Sequence, residues 1–278
     1  MHDRNVQLSI ITAVYNNVLF IRECIENVID QNCKLIEHII IDGGSEDGTK
    51  EVIEGYARRC KHIRWISEKD FGQSHAINKG LQMAKGHIVS LLNVDDYYEP
   101  NVFQEVLSIF NDNPDCNMLI GNCNVWGEGE QHLYINRPRK LKLEDLLLGF
   151  HVNPFPINPS AYFYHASLHQ TVGLYSLEEH YVLDVDFLFR AVSVANIKYV
   201  DRVFGNYRML SGTKTVESIR SGQSSARVER LIKKYRQQLP TIKRINLAFQ
   251  YSLFKLMRRI RNRLSLDLLI HGMASNKM

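Results

Sequence analysis

The sequence predicts an α/β fold built on a mainly parallel central sheet flanked by helices. Three observations lead there. Short, almost unbroken apolar runs alternate with helix-period segments through the first hundred residues. Each of those runs stops at a polar or acidic residue. Nothing in the chain suggests a disulfide-held or low-complexity protein. Strands covered on both faces lose the in/out alternation of a half-exposed sheet, so continuous apolar runs between helices imply parallel strands under two helical layers.

The β-branched run LSIITAV (8–14) is the first expected strand. Over 18–31, Phe20, Cys24 and Val28 fall on one helical stripe, and Ile21, Ile25 and Ile29 on its neighbour. EHIIIDGG (37–44) is a second strand that closes on Asp42 and two glycines, and SEDGTKEVIEGYA (45–57) opens a helix with capping-type residues. HIRWISE (62–68), a helix over about 73–85, and HIVSLLNV (87–94) complete the pattern.

Beyond it, a helix is expected over about 101–111, then NMLIGNCNVWG (117–127) and EQHLYINRP (130–138) as a hairpin or irregular extension of the sheet. The Pro- and Asn-rich NPFPINPSAYFY (153–164) reads as a shaped loop before a strand, and HYVLDVDFLFRAV (180–192) enters a helix. NIKYVDRVFGNYRML (196–210) reads as two short strands around a turn, followed by basic helical segments. The chain divides accordingly into 1–100, 101–215 as the second half of the same domain, and a basic helical region, 216–278.

With 278 residues, 45% of them hydrophobic, the chain can bury a sizeable core. The first apolar stretch, about seven residues, is too short for a signal sequence or a membrane span. Five scattered cysteines with no C-x-x-C pair indicate neither a disulfide framework nor a zinc site, so a reducing cytoplasm is expected. The net charge of +4 is uneven: from residue 216 onward there are 14 Lys/Arg against 3 Asp/Glu, which leaves 20 against 27 before it.

Ligands of open α/β sheets sit outside the carboxyl ends of the strands. Here those ends carry Tyr15 and Asn16, then Asp42, then residues 68–72, then Asp95 and Asp96. Any one of them could be a turn or a cap, and Asp96 could cap the helix that Pro100 helps to start. Four successive polar ends instead suggest one site. Adjacent aspartates become favourable where a divalent cation takes up their charge, and hard oxygen ligands suit Mg²⁺ or Mn²⁺ with a nucleotide diphosphate as co-ligand. Asp42 offers an acceptor to a base N–H. There is no G-x-x-x-x-G-K-[ST] and no G-x-G-x-x-G after the first strand, which argues against P-loop and dinucleotide enzymes.

TAVYNN, Gln31, EHIIIDGGSEDGT, SEKDFGQSHAINKGLQMAKGHIVSLLNVDDYYEP and LDVDFLFRA, in this order, make the chain resemble an inverting family 2 glycosyltransferase of the GT-A fold over about residues 6–215. The resemblance implies transfer of a sugar from a nucleoside diphosphate sugar, expected to be UDP-linked, to a glycan or lipid-linked acceptor in cell-surface polysaccharide synthesis. It implies a nucleotide-sugar-binding half in 1–100 and an acceptor-binding, catalytic half in 101–215. Asp42 becomes the nucleobase partner, with Ala13, Tyr15 and Asn16 around the nucleoside. Asp95 becomes the ligand of Mn²⁺ or Mg²⁺. Asn93 stands where the first acid of the metal motif is usual, at the metal or the ribose, and Gly43 where many relatives carry a second acid. Asp184 takes the place of the catalytic base, preceded by Leu183 where Glu is common; the competing reading makes Asp184 an N-cap. Asp186 and Arg190, at i,i+4 spacing, read as a structural ion pair. Lys214, in MLSGTKT (209–215), matches a segment near the diphosphate or is simply solvated.

In the tail, Phe249, Leu253, Leu256, Ile260 and Leu264 recur at helical steps among Lys255, Arg258, Arg259, Arg261 and Arg263. Such a helix could lie on an anionic membrane at the inner face of the cell membrane, pack on the catalytic domain, or form a dimer contact. Nucleic acid ranks below these, since no reader motif is present. The histidines, among them His75, His165 and His180, lack metal-ligand spacing. Two other functions stay open: a noncatalytic nucleotide-sugar-binding scaffold, and a sugar transferase acting directly on a polyprenyl phosphate.

Overall fold

The structure is a computed structural model that describes residues 6–178 and 181–275, without the side chains of Lys214, Thr215 and 261–275. Its strands are β1 (Leu8–Val14), β2 (Ile36–Asp42), β3 (Ile63–Ser67), β4 (Ile88–Leu91), β5 (Tyr97–Tyr98), β6 (Met118–Trp126), β7 (His132–Asn136), β8 (Tyr162–His165) and β9 (Ile197–Arg208). Its helices are α1 (Val18–Asp30), α2 (Thr49–Ala57), α3 (Gln73–Met83), α4 (Val102–Asp112), α5 (Leu143–Leu146), α6 (Leu168–Val172), α7 (Leu183–Val192), α8 (Lys214–Arg220), α9 (Gln223–Gln238) and α10 (Thr241–Ser275).

All strands join one sheet in the order β3-β2-β1-β4-β8-β6-β9-β5, with β7 on β6. The first four are mutually parallel. β8 is antiparallel to both β4 and β6, which turns β6 and its parallel neighbour β9 back to the common direction. The register decides where the site lies: Val14 pairs with Asp42, and Asp42 with Ser67, so three strands end at one level. Strand faces alternate as the pleat requires. Ile11, Ile39, Ile41, Val89 and Leu91 join one core with Phe187 and Phe189 of α7. Leu8, Ile10, Ile40 and Ile88 join the other with Ile21 and Ile25 of α1 and Phe103 and Val106 of α4.

The expected α/β order of the first hundred residues is present, and β6 and β7 form the expected hairpin. The segment 196–210 differs: it is the single strand β9, not two strands around a turn. Its register against β6 shifts between Ile120 and Asn122, where Tyr199 pairs with Ile120 and Val203 with Asn122. Val200, Asp201 and Arg202 are thus taken up as a bulge. Gly121 permits it, because a Cβ there would lie 2.5 Å from the Phe204 ring and 2.8 Å from the Arg202 carbonyl oxygen.

The basic tail packs on the body through α9, which buries Leu231 and Ile232, and through Leu247 of α10. Among the described residues no helix is long and apolar enough to cross a membrane.

Helix α3 carries the 68–72 loop to the strand ends by lying against β1 at Gly80. A Cβ on Gly80 would come within 2.4 Å of Ile11 Cγ2, on a buried β-branched side chain with few alternative rotamers. Gly80→Ala is expected to destabilise the fold by about 1–3 kcal/mol, the usual penalty of overpacking, read as a lower urea midpoint at unchanged slope. An unchanged midpoint would show that α3 is not seated there.

Candidate functional site

Asp42 is fully buried at the end of β2. Its Oδ2 accepts hydrogen bonds from Ser67 Oγ (2.6 Å), Ser45 N (3.0 Å) and Gly44 N (3.2 Å), and its Oδ1 accepts one from Ser45 Oγ. These bonds take up most of what a carboxylate can accept, so Asp42 fixes the turn and ties it to β3. Asn16 is left-handed at φ 46° and holds the β1–α1 loop to the β2–α2 loop: its N–H donates to Ser45 Oγ (2.7 Å) and its Oδ1 accepts from Glu46 N (2.9 Å). Ala13 packs on the core, and Tyr15 is 64% exposed.

The space beside this turn exists because residue 43 is glycine. A Cβ there would lie 2.8 Å from Asp70 Oδ2 and 3.2 Å from the Tyr15 ring. Asp70 is held from behind, its Oδ1 accepting from Gly72 N at 2.7 Å. Sequence reasoning passed over Asp70 as one member of a polar segment; an Asp two residues before a helix-opening glycine is the signal that could have found it.

At the end of β4 the adjacent acids separate in environment. Asp96 is fully buried and accepts from Asn158 Nδ2 (2.6 Å), Asn93 Nδ2 (2.8 Å) and Arg208 N (3.0 Å). It does not cap α4, whose N-cap is Asn101 in a left-handed conformation. Burial, and then the charge of Asp95, push its pKa up. Asn93 is drawn inward by that bond, and its Oδ1 accepts from Gln73 Nε2 at 3.3 Å. Asp95 is only partly buried, and among the described residues no side-chain donor bonds its carboxylate. Burial raises its pKa, while the Arg208 guanidinium opposes the rise. Arg208 itself donates to the Asp95 backbone carbonyl and to Glu23 Oε2 (2.9 Å), and lies 5.3 Å from the Tyr97 ring centre.

Asp95 therefore fits a hard divalent cation: its carboxylate is spare, oxygen-only and partly desolvated. Among the described residues no three His, Cys, Asp or Glu gather around one point. A cation there would draw its other ligands from substrate and water, as Mg²⁺ commonly does.

Asp184 lies in the first turn of α7 but is not its N-cap, which is Val182. Its Oδ1 accepts from Val185 N at 2.9 Å, and burial pushes its pKa up to about 6. Asp186 and Arg190 form the expected ion pair at 2.9 Å, and Tyr235 of α9 donates to the other Asp186 oxygen at 3.0 Å. A second residue that the sequence did not disclose is Tyr207 of β9. Among the described residues its buried hydroxyl has no hydrogen-bond partner, and its pKa is raised first by burial and then by Asp96, Asp95 and Asp184. Carboxylates from the β4 end and from α7 thus bear on one phenol. Lys214 opens α8, but its side chain lies outside the described residues, as does His180.

Residues 9–171 match the family model described as Glycosyl transferase family 2. The putatively named glycosyltransferase EpsH of Bacillus subtilis is 32% identical over 123 residues, which are 44% of this chain and 35% of that protein, so the chain spans about a third of this relative. Among solved structures, S. aureus TarS 1–349 in complex with UDP-GlcNAc aligns with a TM-score of 0.61 at 17% identity, covering 76% of this chain and 61% of that one. The mannosyltransferase PcManGT from Pyrobaculum calidifontis, in complex with GDP-Man and Mn²⁺, aligns with a TM-score of 0.57 at 17% identity over 81% of this chain and 64% of that one. At these identities the two structures speak for the fold alone.

The raised Asp184 pKa makes a prediction about stability. The folded state holds the proton to about pH 6, whereas the ordinary value is 3.8. The folded state therefore binds more protons in between, and stability falls as pH rises from about 4 to about 6 and stays lower above. Asp184→Asn removes this loss. It is expected to be more stable than wild type at pH 7.5, on the order of 2 kcal/mol by urea denaturation, with the gain vanishing near pH 4. A variant equally or less stable at pH 7.5 would mean that Asp184 is not desolvated.

Proposed function

The chain belongs to glycosyl transferase family 2 and has the GT-A fold, and on that premise we propose that it is an inverting, metal-dependent transferase. In this reading it moves a sugar from a nucleoside diphosphate sugar, UDP-linked, to a hydroxyl of a glycan or lipid-linked acceptor in cell-surface polysaccharide synthesis, at the cytoplasmic face of the membrane. One observation carries it: among the described residues the buried Tyr207 hydroxyl has no hydrogen-bond partner, and its pKa is raised by burial and then by Asp96, Asp95 and Asp184, acids from separate halves of the chain. In this reading a spare carboxylate suited to a cation and a carboxylate suited to a proton serve one site.

Asp184 accepts the proton of the acceptor hydroxyl as its oxygen attacks the anomeric carbon, and the nucleoside diphosphate leaves from the opposite face. Burial supports this role by raising its pKa to about 6, which makes it a better base than an ordinary aspartate while leaving it ionised at neutral pH. Asp95 would hold Mn²⁺ or Mg²⁺, which supplies positive charge against the departing diphosphate. Tyr15 and Ala13 border the nucleoside, with Asn16 and Asp42 bracing the loops beneath it and Asp70 closing the side that Gly43 leaves open. Asn93 acts through Asp96 and Gln73, and Lys214 is assigned to the diphosphate. That TarS binds UDP-GlcNAc and PcManGT binds GDP-Man with Mn²⁺ supports the donor class and the metal.

The test is nucleoside diphosphate release from UDP-sugars with Mn²⁺ across acceptors, together with thermal shift of the same mixtures. Wild type should turn over and be stabilised by donor. Asp184→Asn should keep the donor-induced shift while turnover falls about 10²–10⁴-fold. The wild-type kcat/KM should fall on the acid side with a half-point near pH 6, because the base is protonated below that value. Donor binding with no turnover by wild type would favour a noncatalytic scaffold, and undiminished turnover by Asp184→Asn would remove it as the base.

Tyr207→Phe separates a site role from a structural one. Removing an unpaired buried hydroxyl should leave the urea midpoint unchanged or higher, while turnover falls by about tenfold, the worth of a hydrogen bond gained only with substrate bound. Full activity in this variant would confine Tyr207 to packing.

A further inference from the structure

Helix α10 meets the body with one side and shows water an apolar side. Leu247 is 4% exposed and Tyr251 packs on the core, where Arg236 lies 5.4 Å from its ring centre. At about 100° per residue, Ile242, Ile245, Phe249, Leu253, Leu256 and Ile260 fall in a sector of roughly 80° on the opposite side. Each of these six is between 44% and 82% exposed. On the same wheel Arg259 borders the stripe, Lys243, Arg244 and Lys255 lie about 120–140° from its centre and Arg258 lies opposite it, and residues 241–260 contain no Asp or Glu. Lys243 is drawn to Glu144 at 2.5 Å; the other four cations are exposed.

We propose that this face of α10 is a docking surface for an anionic lipid bilayer, with the helix lying in the plane of the headgroups and its apolar stripe below them. Charge complementarity selects this occupant. A second copy laid stripe to stripe would cover the apolar residues but leave the cations of both helices unpaired, since neither stretch carries an acid. A bilayer bearing anionic headgroups covers the apolar stripe and also offers negative charge to Arg259 beside it and to Lys255, whose long side chain can reach up to the headgroups. Spanning is excluded for the described part of the helix, which has no window apolar enough. The proposal concerns the surface alone and does not rest on the donor or the reaction.

The full chain is sedimented with vesicles of phosphatidylcholine containing about one-third phosphatidylglycerol, and with phosphatidylcholine alone, without sugar nucleotide. Wild type should partition to the anionic vesicles, more weakly at high salt, and much less to the neutral ones. Phe249→Ser with Leu256→Ser should lower the partition about tenfold or more, from lost apolar burial. Lys255→Gln with Arg259→Gln should lower it about 30-fold, at roughly fivefold per cation. Circular dichroism and the donor-induced thermal shift should match wild type in both. Wild type that stays in the supernatant, or binds neutral vesicles equally, overturns the proposal. So does a wild-type dimer, seen by light scattering, that the Phe249/Leu256 variant dissociates without changing vesicle binding. Because no substrate is present, failure here leaves the transferase reading standing, and failure of donor turnover leaves this one.

Discussion

Two neighbouring carboxylates at the end of a buried strand would repel each other in a medium that solvates neither, so the chain must give at least one of them partners. It gives them to Asp96. An asparagine three residues earlier, Asn158 from the Pro-rich loop and the Arg208 amide of β9 all donate to it. Much of the second half of the domain is positioned by this requirement: the 153–164 loop must pass where Asn158 reaches the carboxylate, and β9 must end level with it. Asp95 is left with its carboxylate spare, and the pair splits into one group that builds and one that is available.

The same division recurs at the end of β2. Asp42 spends its carboxylate on Ser45, Gly44 and Ser67, and the opening beside it is bordered by Tyr15 and Asp70 across a glycine. In both places a fully buried acid shapes the backbone and a less buried acid beside it faces the space so formed. Dense hydrogen bonding under the site is what holds its lining residues to one geometry when substrate arrives.

The first hundred residues were legible because their physics is local. Apolar runs and helical stripes gave the strands and helices, and the rule that ligands gather at strand carboxyl ends gave Asp42 and Asp95 their places. What could not be read depended on pairing across the chain. Asp96 reads as a cap until Asn158 and Arg208 are brought to it. The competing N-cap reading of Asp184 falls because the helix starts one residue earlier. The strand β9 reads as two strands because its bulge, permitted by Gly121, resembles a turn in one dimension. Tyr207 sits unmarked in an aromatic-rich strand, and only its unpaired buried hydroxyl distinguishes it.

The ties on Asp96 also set an order of events. Two of its three donors come from 62 and 112 residues further along the chain. As a ribosome delivers the protein, the first four strands emerge and can pair while Asp96 still lacks the groups that make its burial tolerable. That corner of the sheet is therefore completed only once β9 is in place, and a chain truncated before residue 208 lacks the Arg208 amide that donates to Asp96.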